Sequence, residues 1–125
     1  MPLERPTIEK PQGEIPFDLG IDDLVVGGGE EATSGRKVTV HYVGVAYRSG
    51  EEFDSSWNRG EPFRFALGKG QVIPGWDQGV AGMRVGGRRR LTIPSALAYG
   101  ARGAGNGVIA PHEPLVFVVD LLAVD

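Results

Sequence analysis

The 125-residue chain contains no cysteine. That removes disulfide scaffolds, thiolate catalysis and cysteine-based zinc sites in one step. Its only histidines are His41 and His112, the first in a strand-like segment and the second near two prolines. Neither has the convergent ligands at set spacing that a metal needs, so the expectation is no metal and no cofactor. Serine, histidine and aspartate are nowhere clustered as a nucleophilic set. Gly68-Lys69-Gly70 lacks the full phosphate-loop pattern and the Ser/Thr that should follow it. Gly103-x-Gly105-x-Gly107 does not open a helix after a strand, so the dinucleotide reading fails too.

Positive charge is also short: 13 Lys and Arg stand against 16 Asp and Glu, a net charge of −3. The chain therefore has no general attraction to nucleic acid or anionic lipid. Arg88-Arg89-Arg90 reads as a strand segment with a solvated face, not as a nucleic-acid contact. No apolar run approaches the length of a membrane span, and the N-terminus shows no charged-then-apolar leader. The expectation is a cytoplasmic protein that does not engage a membrane.

What is present is ordinary globular usage, 41% hydrophobic and 23% charged. A chain of this length can bury roughly two thirds of its unfolded surface, enough for one core without covalent staples. Residues 1–16 carry Pro2, Pro6, Pro11 and Pro16 among charges. Such a stretch buries little and reads as a disordered Pro-rich N-terminal arm, leaving residues 17–125 as the domain.

Five segments carry strand signals. Ile21 to Val26 is short and ends at Gly27-Gly28-Gly29. Lys37 to Tyr47 places Val38, Val40 and Tyr42 on one face, then Val43, Val45 and Tyr47 take over, which implies a bulge near Gly44. Phe63, Phe65 and Leu67 alternate with Arg64 and Ala66 as in a half-buried strand. Arg88 to Ile93 turns Leu91 and Ile93 inward, and Leu115 to Val124 is almost continuously apolar, as in a central strand covered on both faces. One helix is expected, at about Pro74 to Ala81, with Pro74 in its first turn and Gly82 as its stop. Gly75 and Gly79 weaken that helix by about 1 kcal/mol each relative to Ala, so a sheet must hold it in place. The fold class is α+β: a twisted antiparallel sheet of about five strands wrapped around one short α-helix.

Between Ala98 and Pro114 runs a glycine-rich segment too long for a plain connection and, with Tyr99, Val108 and Ile109, too apolar for a free loop. It should fold back over something, with Asn106-Gly107 able to close a hairpin tip. Inward-pointing aromatics are scattered through the rest: Tyr42, Phe53, Phe63, Phe65, Trp76 and Phe117. From composition alone such a set is more often plain core than a pocket. Asp54, beside Phe53 and before Ser55-Ser56, would by itself be a capped turn.

The order of segments reverses that reading. Val40-His41-Tyr42-Val43-Gly44 is followed by Phe53-Asp54-Ser55-Ser56, Pro62-Phe63-Arg64-Phe65 and Gln71-Val72-Ile73-Pro74-Gly75-Trp76. Leu91-Thr92-Ile93-Pro94, Ala98-Tyr99-Gly100 and Leu115-Val116-Phe117 complete the series. Each motif is weak alone, but seven in this order are specific. Over residues 17–125 the chain resembles the FKBP-type peptidyl-prolyl cis-trans isomerases, the macrolide-binding immunophilins, in a single-domain, bacterial-like form.

The resemblance implies an FKBP-like fold and a set of site residues. Trp76 would be the pocket floor, with Tyr42, Phe63, Val72, Ile73 and Phe117 as walls. Phe53 and Asp54 would form one rim, and Ala98, Tyr99 and Ile109 would come from the long loop opposite. The Tyr99 hydroxyl and the Ile73 backbone N–H would donate to ligand carbonyls, while Arg59 would pair with Asp54 or Tyr42. Phe65 would pack behind. Tyr42, Asp54, Trp76, Tyr99 and Phe117 are the residues implied in catalysis, and Phe53, Arg59, Phe63, Val72, Ile73, Ala98 and Ile109 those implied in substrate binding. Implied partners are X-Pro polypeptides, with tacrolimus and rapamycin as inhibitors, acting on a monomer. The loop tip Ala104-Gly105-Asn106 departs from the His-Pro pair frequent in the family, which bears on substrate preference. Two other classes remain open at this point: a proline- or macrolide-binding module with little turnover, and a purely structural β-domain.

Overall fold

The computed structural model describes residues 3–15, 17–104 and 109–125. In chain order its elements are β1 (Gly20–Val25), β2 (Lys37–Ala46), β3 (Glu52–Ser55), α1 (Ser56–Arg59), β4 (Phe63–Ala66), α2 (Pro74–Gly79), β5 (Arg88–Ile93) and β6 (Leu115–Val124). Two single 3₁₀ turns, Ser95–Leu97 and Gly100–Arg102, lie between β5 and β6. The six strands form one antiparallel sheet in the order β1-β5-β6-β2-β3, with β4 also paired to β2.

The apolar run at Leu115 to Val124 is central, as its composition implies: β6 sits between β5 and β2, and Leu115 to Leu121 are buried without a break. The sheet has an inner face, on which α2 packs, and an outer face. Val38, Val40, Phe65, Leu67, Leu91, Ile93, Phe117 and Val119 meet Trp76 of α2 and Val80, which caps it, in the inner core. Helix α2 is held by close approach. A Cβ on Gly75 would lie 2.5 Å from Ile93 Cγ2, and one on Gly79 would lie 2.7 Å from Leu91 Cδ2. The glycines that weaken this helix intrinsically are those that let it lie against β5.

Three differences from the sequence reading have physical reasons. Strand β3 is a sixth strand, missed because Glu52-Phe53-Asp54-Ser55 is short and carries two acids. Helix α1 is a second short helix: the Ser55 side chain accepts from the Asn58 N–H, and Gly60 closes it at φ +70°. The cap that reads as a simple turn therefore starts a helical turn. Finally, the alternation in β2 does not flip. Val45 and Tyr47 are buried on the outer face because Ile8 of the arm packs there with Val116. The irregularity at Gly44 is real but belongs to the pairing with β3, where Gly44 faces Asp54, Val45 faces Glu52 and Phe53 is the extra residue.

Residues 3–15 form no helix or strand and lie along the outer face. The Tyr47 hydroxyl lies 3.0 Å from the Gln12 and Glu14 carbonyl oxygens, and Arg5 pairs with Glu52. The arginine run is not simply solvated. Arg88 makes a bidentate, nearly buried pair with Asp120 at 2.6 and 2.8 Å. Arg89 reaches Asp23 at 2.6 Å and the Gly79 carbonyl at 2.8 Å, and Arg90 pairs with Asp22 at 3.2 Å. Hydrogen bonding to Asp120 raises the Arg88 pKa further.

Candidate active site

Six aromatic rings converge between α2 and the inner face. Trp76 opens α2, where Pro74 supplies the first helical turn. Its indole meets Tyr42 at 4.9 Å and 80°, Phe117 at 5.2 Å and 86°, and Phe63 at 6.1 Å and 70°. Phe53 stands edge-on to Phe117 at 5.5 Å. Edge-to-face pairs of this kind each contribute about 0.5–1.5 kcal/mol beyond area burial, and they fix the rings as rigid walls. Phe65 stacks behind Phe63 at 5.7 Å and does not reach the cavity.

Gly44 makes the wall possible. A Cβ there would lie 2.6 Å from Phe117 Cε1 and 2.8 Å from Phe53 Cζ. The bulged pairing at Phe53 and the bare backbone at Gly44 together let both rings lie over β2.

The polar rim is a closed network. The Tyr42 hydroxyl donates to Asp54 Oδ2 at 2.6 Å. Arg59, on α1, donates to Asp54 Oδ1 at 2.6 Å and to the Tyr42 oxygen at 2.8 Å, with its guanidinium 5.5 Å from the Tyr42 ring centre. The Ser55 N–H also donates to Asp54 Oδ1. Burial, reinforced by the bond to Asp54, pushes the Tyr42 pKa up to about 12. The Tyr99 phenol is also raised, by burial and then by the charge of Asp54. Both phenols therefore stay protonated through the neutral range. The Tyr42 bond raises the Arg59 pKa as well.

Loop anchors complete the site. Asp77 of α2 accepts from the Gly68 and Gly70 N–H groups at 2.8 and 3.0 Å, and the Gln71 side chain accepts from Ala66 N–H at 2.9 Å. These bonds set Val72 and Ile73 at the cavity edge. The long loop does fold back: Ala104 and Ile109 exchange both backbone bonds, at 2.9 and 3.0 Å, and His112 N–H donates to the Gly100 carbonyl at 2.8 Å. The expected hairpin tip at Asn106-Gly107 lies outside the described residues.

The resulting cavity is about 540 Å³ and is lined by Tyr42, Phe53, Asp54, Phe63, Val72, Ile73, Trp76, Tyr99, Ile109 and Phe117. Gln71 and Ala104 line it too, and sequence reading did not assign them. Ala104 had only its place at the departing loop tip as a signal; Gln71 stood in a quoted motif without a role. Arg59 acts from behind the rim, and Ala98 packs on the inner core, so neither lines the cavity. Among the described residues the Tyr99 hydroxyl and the Ile73 N–H have no protein partner. The Trp76 indole N–H is buried without one. A larger groove of about 840 Å³ lies on the outer face between arm and sheet. Charged Glu9, Lys10, Asp22, Arg88 and Arg90 line it, and Tyr47 is its only aromatic, so the smaller cavity is the candidate site.

Residues 28–122 match the family model described as FKBP-type peptidyl-prolyl cis-trans isomerase. This chain belongs to that family. The FKBP-type relatives include an FK506-binding protein of Streptomyces anulatus, 62% identical over 99% of this chain and 100% of that one. Another is peptidyl-prolyl cis-trans isomerase FPR2 of Saccharomyces cerevisiae, 58% identical over 85% of this chain and 75% of that one. Among solved structures, AtFKBP13 matches with a TM-score of 0.79 and 44% identity, covering 86% of this chain and 94% of that one. FkpA from Escherichia coli matches with a TM-score of 0.78 and 41% identity, covering 86% of this chain and 48% of that one. The FKBP sheet wrapped on a short helix is the architecture found here, with six strands rather than about five.

Proposed function

We propose that this FKBP-type isomerase turns X-Pro bonds of folding polypeptides within the aromatic cavity, as a monomer, and that tacrolimus and rapamycin occupy the same cavity. The barrier to peptide rotation is about 18–20 kcal/mol because twisting breaks C–N resonance. A prolyl bond has nearly balanced isomers, so the uncatalysed exchange is slow rather than unfavourable. The twisted amide has less charge separation than either planar isomer. A dry aromatic cavity thus disfavours the planar ground states more than the transition state, which lowers the barrier.

The single observation that carries this reading is the closed Tyr42–Asp54–Arg59 network. It engages the one carboxylate of the cavity and leaves walls of aromatic carbon. The Tyr99 hydroxyl and Ile73 N–H are the donors for substrate carbonyls, which fixes the proline ring over Trp76. A hydrophobic residue before proline suits the apolar edge formed by Phe53 and Ile109. The test is Trp76→Leu, read by rapamycin titration and peptide turnover. Both should weaken together, and unchanged affinity would show that the ligand sits elsewhere.

A further inference from the structure

His41 and Tyr42 are neighbours on β2, so their side chains leave the sheet on opposite faces. Tyr42 enters the cavity wall, while His41 stands on the outer face opposite Asp120 of β6. His41 is nevertheless tied to the site from behind. Its Nδ1 lies 2.7 Å from Ser56 Oγ, and the same oxygen accepts from the Tyr42 N–H at 2.7 Å. Ser56 is fully buried and opens α1. The Trp57 ring, next on α1, stacks on the imidazole at 4.1 Å and 18°. Its indole N–H is buried with no partner among the described residues, so the stack holds that ring in place of a hydrogen bond.

Helix α1 is a single turn, too short to stand without tertiary contacts. It carries Arg59, which closes the rim on Asp54 and Tyr42. Whatever fixes α1 therefore fixes the rim. A hydroxyl has one proton to give. The nearest acceptor for the Ser56 proton is His41 Nδ1, since the alternative, the Tyr42 carbonyl oxygen, is 3.4 Å away. That arrangement needs Nδ1 bare and the imidazole neutral, with its proton on Nε2. An imidazolium reverses the bond: Oγ then accepts twice, and its own proton is left with the distant carbonyl. A stranded donor on a fully buried hydroxyl weakens the fastening of α1 to β2.

The surroundings of the ring favour its neutral form. On β6 it faces Asp120, which Arg88 of β5 already holds in a bidentate pair. On β4, Arg64 lies opposite Thr39 and pairs with Asp125. On β3, Glu52 is taken up by Asn58 and Arg5. The arm meets Arg88 through the Glu4 carbonyl, and α1 brings only Ser56 and Trp57 to the ring. Burial outweighs the pull of Asp120 and lowers the His41 pKa.

We propose that His41 is a positioning residue for the isomerase: neutral, it takes the Ser56 hydroxyl proton and holds α1 so that Arg59 stands on Asp54 and Tyr42. This rests on the isomerase reading above. Neither His41 nor Ser56 lines the cavity. Acid therefore acts on the rim from the opposite face of the sheet, through a proton that never meets the substrate.

The test follows kcat/KM of the full chain on a blocked Leu-Pro tetrapeptide from about pH 8 to about pH 5. NMR of the His41 ring, assigned by its loss in His41→Asn, gives the titration, and circular dichroism confirms the folded state at each pH. In the native chain kcat/KM should be level at the upper end and fall by about two- to tenfold as His41 takes its proton, the effect of losing one hydrogen bond. In His41→Asn the Oδ1 stands where Nδ1 did and does not titrate, so its profile should be flat and within about twofold of the native plateau. His41→Leu offers no acceptor and should be slow at every pH; the comparison of native chain and His41→Asn decides the matter even if it does not fold. A level native profile across the His41 titration overturns the positioning role while the isomerase reading stands. So does a fall that persists in His41→Asn, since another group would then carry it. If the native chain gives no acceleration at the upper end, the isomerase reading falls and this inference falls with it.

Discussion

The Tyr42 hydroxyl donates to Asp54 Oδ2 at 2.6 Å while Arg59 holds both residues from behind. The carboxylate at the rim is thus a fixture of the wall. Tyr42→Phe removes two hydrogen bonds, the one to Asp54 and the one from Arg59, and leaves Asp54 held by Arg59 and the Ser55 N–H. Partly exposed hydrogen bonds contribute about 0.5–1.5 kcal/mol each, so the loss is about 1–3 kcal/mol. Turnover should therefore fall by no more than about a hundredfold, by the standard conversion of 1.4 kcal/mol per decade. A loss of several hundredfold would mean that the phenol or the carboxylate acts on the substrate itself.

Two glycine substitutions separate wall from scaffold. Gly44→Ala places a methyl against Phe117 and Phe53, so it should reduce macrolide affinity along with stability. Gly75→Ala gains up to about 1 kcal/mol of helix propensity. It also forces a methyl to within 2.5 Å of Ile93 Cγ2, a fully buried and stiff side chain. Overpacking of this kind costs about 1–3 kcal/mol, so packing should win and the variant should unfold at lower denaturant. A more stable Gly75→Ala chain would show that α2 does not lie against β5 as described.

Tyr99→Phe tests the opposite rim. Its hydroxyl has no partner among the described residues, so the fold should keep its stability. Macrolide affinity should drop by about 0.5–1.5 kcal/mol. Titration calorimetry reads the affinity and urea unfolding the stability. Equal affinity in the two proteins would remove the assigned donor role.

His41 couples stability to pH. It bonds Ser56 Oγ at 2.7 Å and stacks on Trp57 at 4.1 Å. Burial lowers its pKa below the usual 6.5, against an opposing pull from Asp120. A lowered value means that the folded state binds fewer protons than the unfolded one in this window. The contribution is complete above 6.5 and is lost as pH falls through the lowered folded value. The stability advantage of the native chain over His41→Gln should therefore shrink as the pH falls below about 6.5. A constant difference in urea midpoints would contradict this linkage.

The strands with clean alternation or continuous apolar character were legible from sequence, as Phe63-Arg64-Phe65 and Leu115 to Val124 show. Most of the cavity was legible too, because motif order fixed which aromatics meet. What escaped were features decided by partners distant in sequence. Nothing local to Val45 and Tyr47 says that Ile8 will cover them. Nothing in Arg88-Arg89-Arg90 says that Asp120, Asp23 and Asp22 will pair them off across neighbouring strands. The motif puts Ala98 in the site, yet its neighbours turn it to the core. A surface amide before an apolar run has no distinguishing pattern, so nothing in the sequence marks Gln71.

The most direct test of the central claim is cis-to-trans exchange of a Leu-Pro tetrapeptide with and without rapamycin. Acceleration that rapamycin abolishes is the predicted result, since catalysis and macrolide binding share the cavity over Trp76. Tight rapamycin binding without acceleration would contradict the isomerase account and leave a binding module, with the altered loop tip at Ala104 as the first place to look.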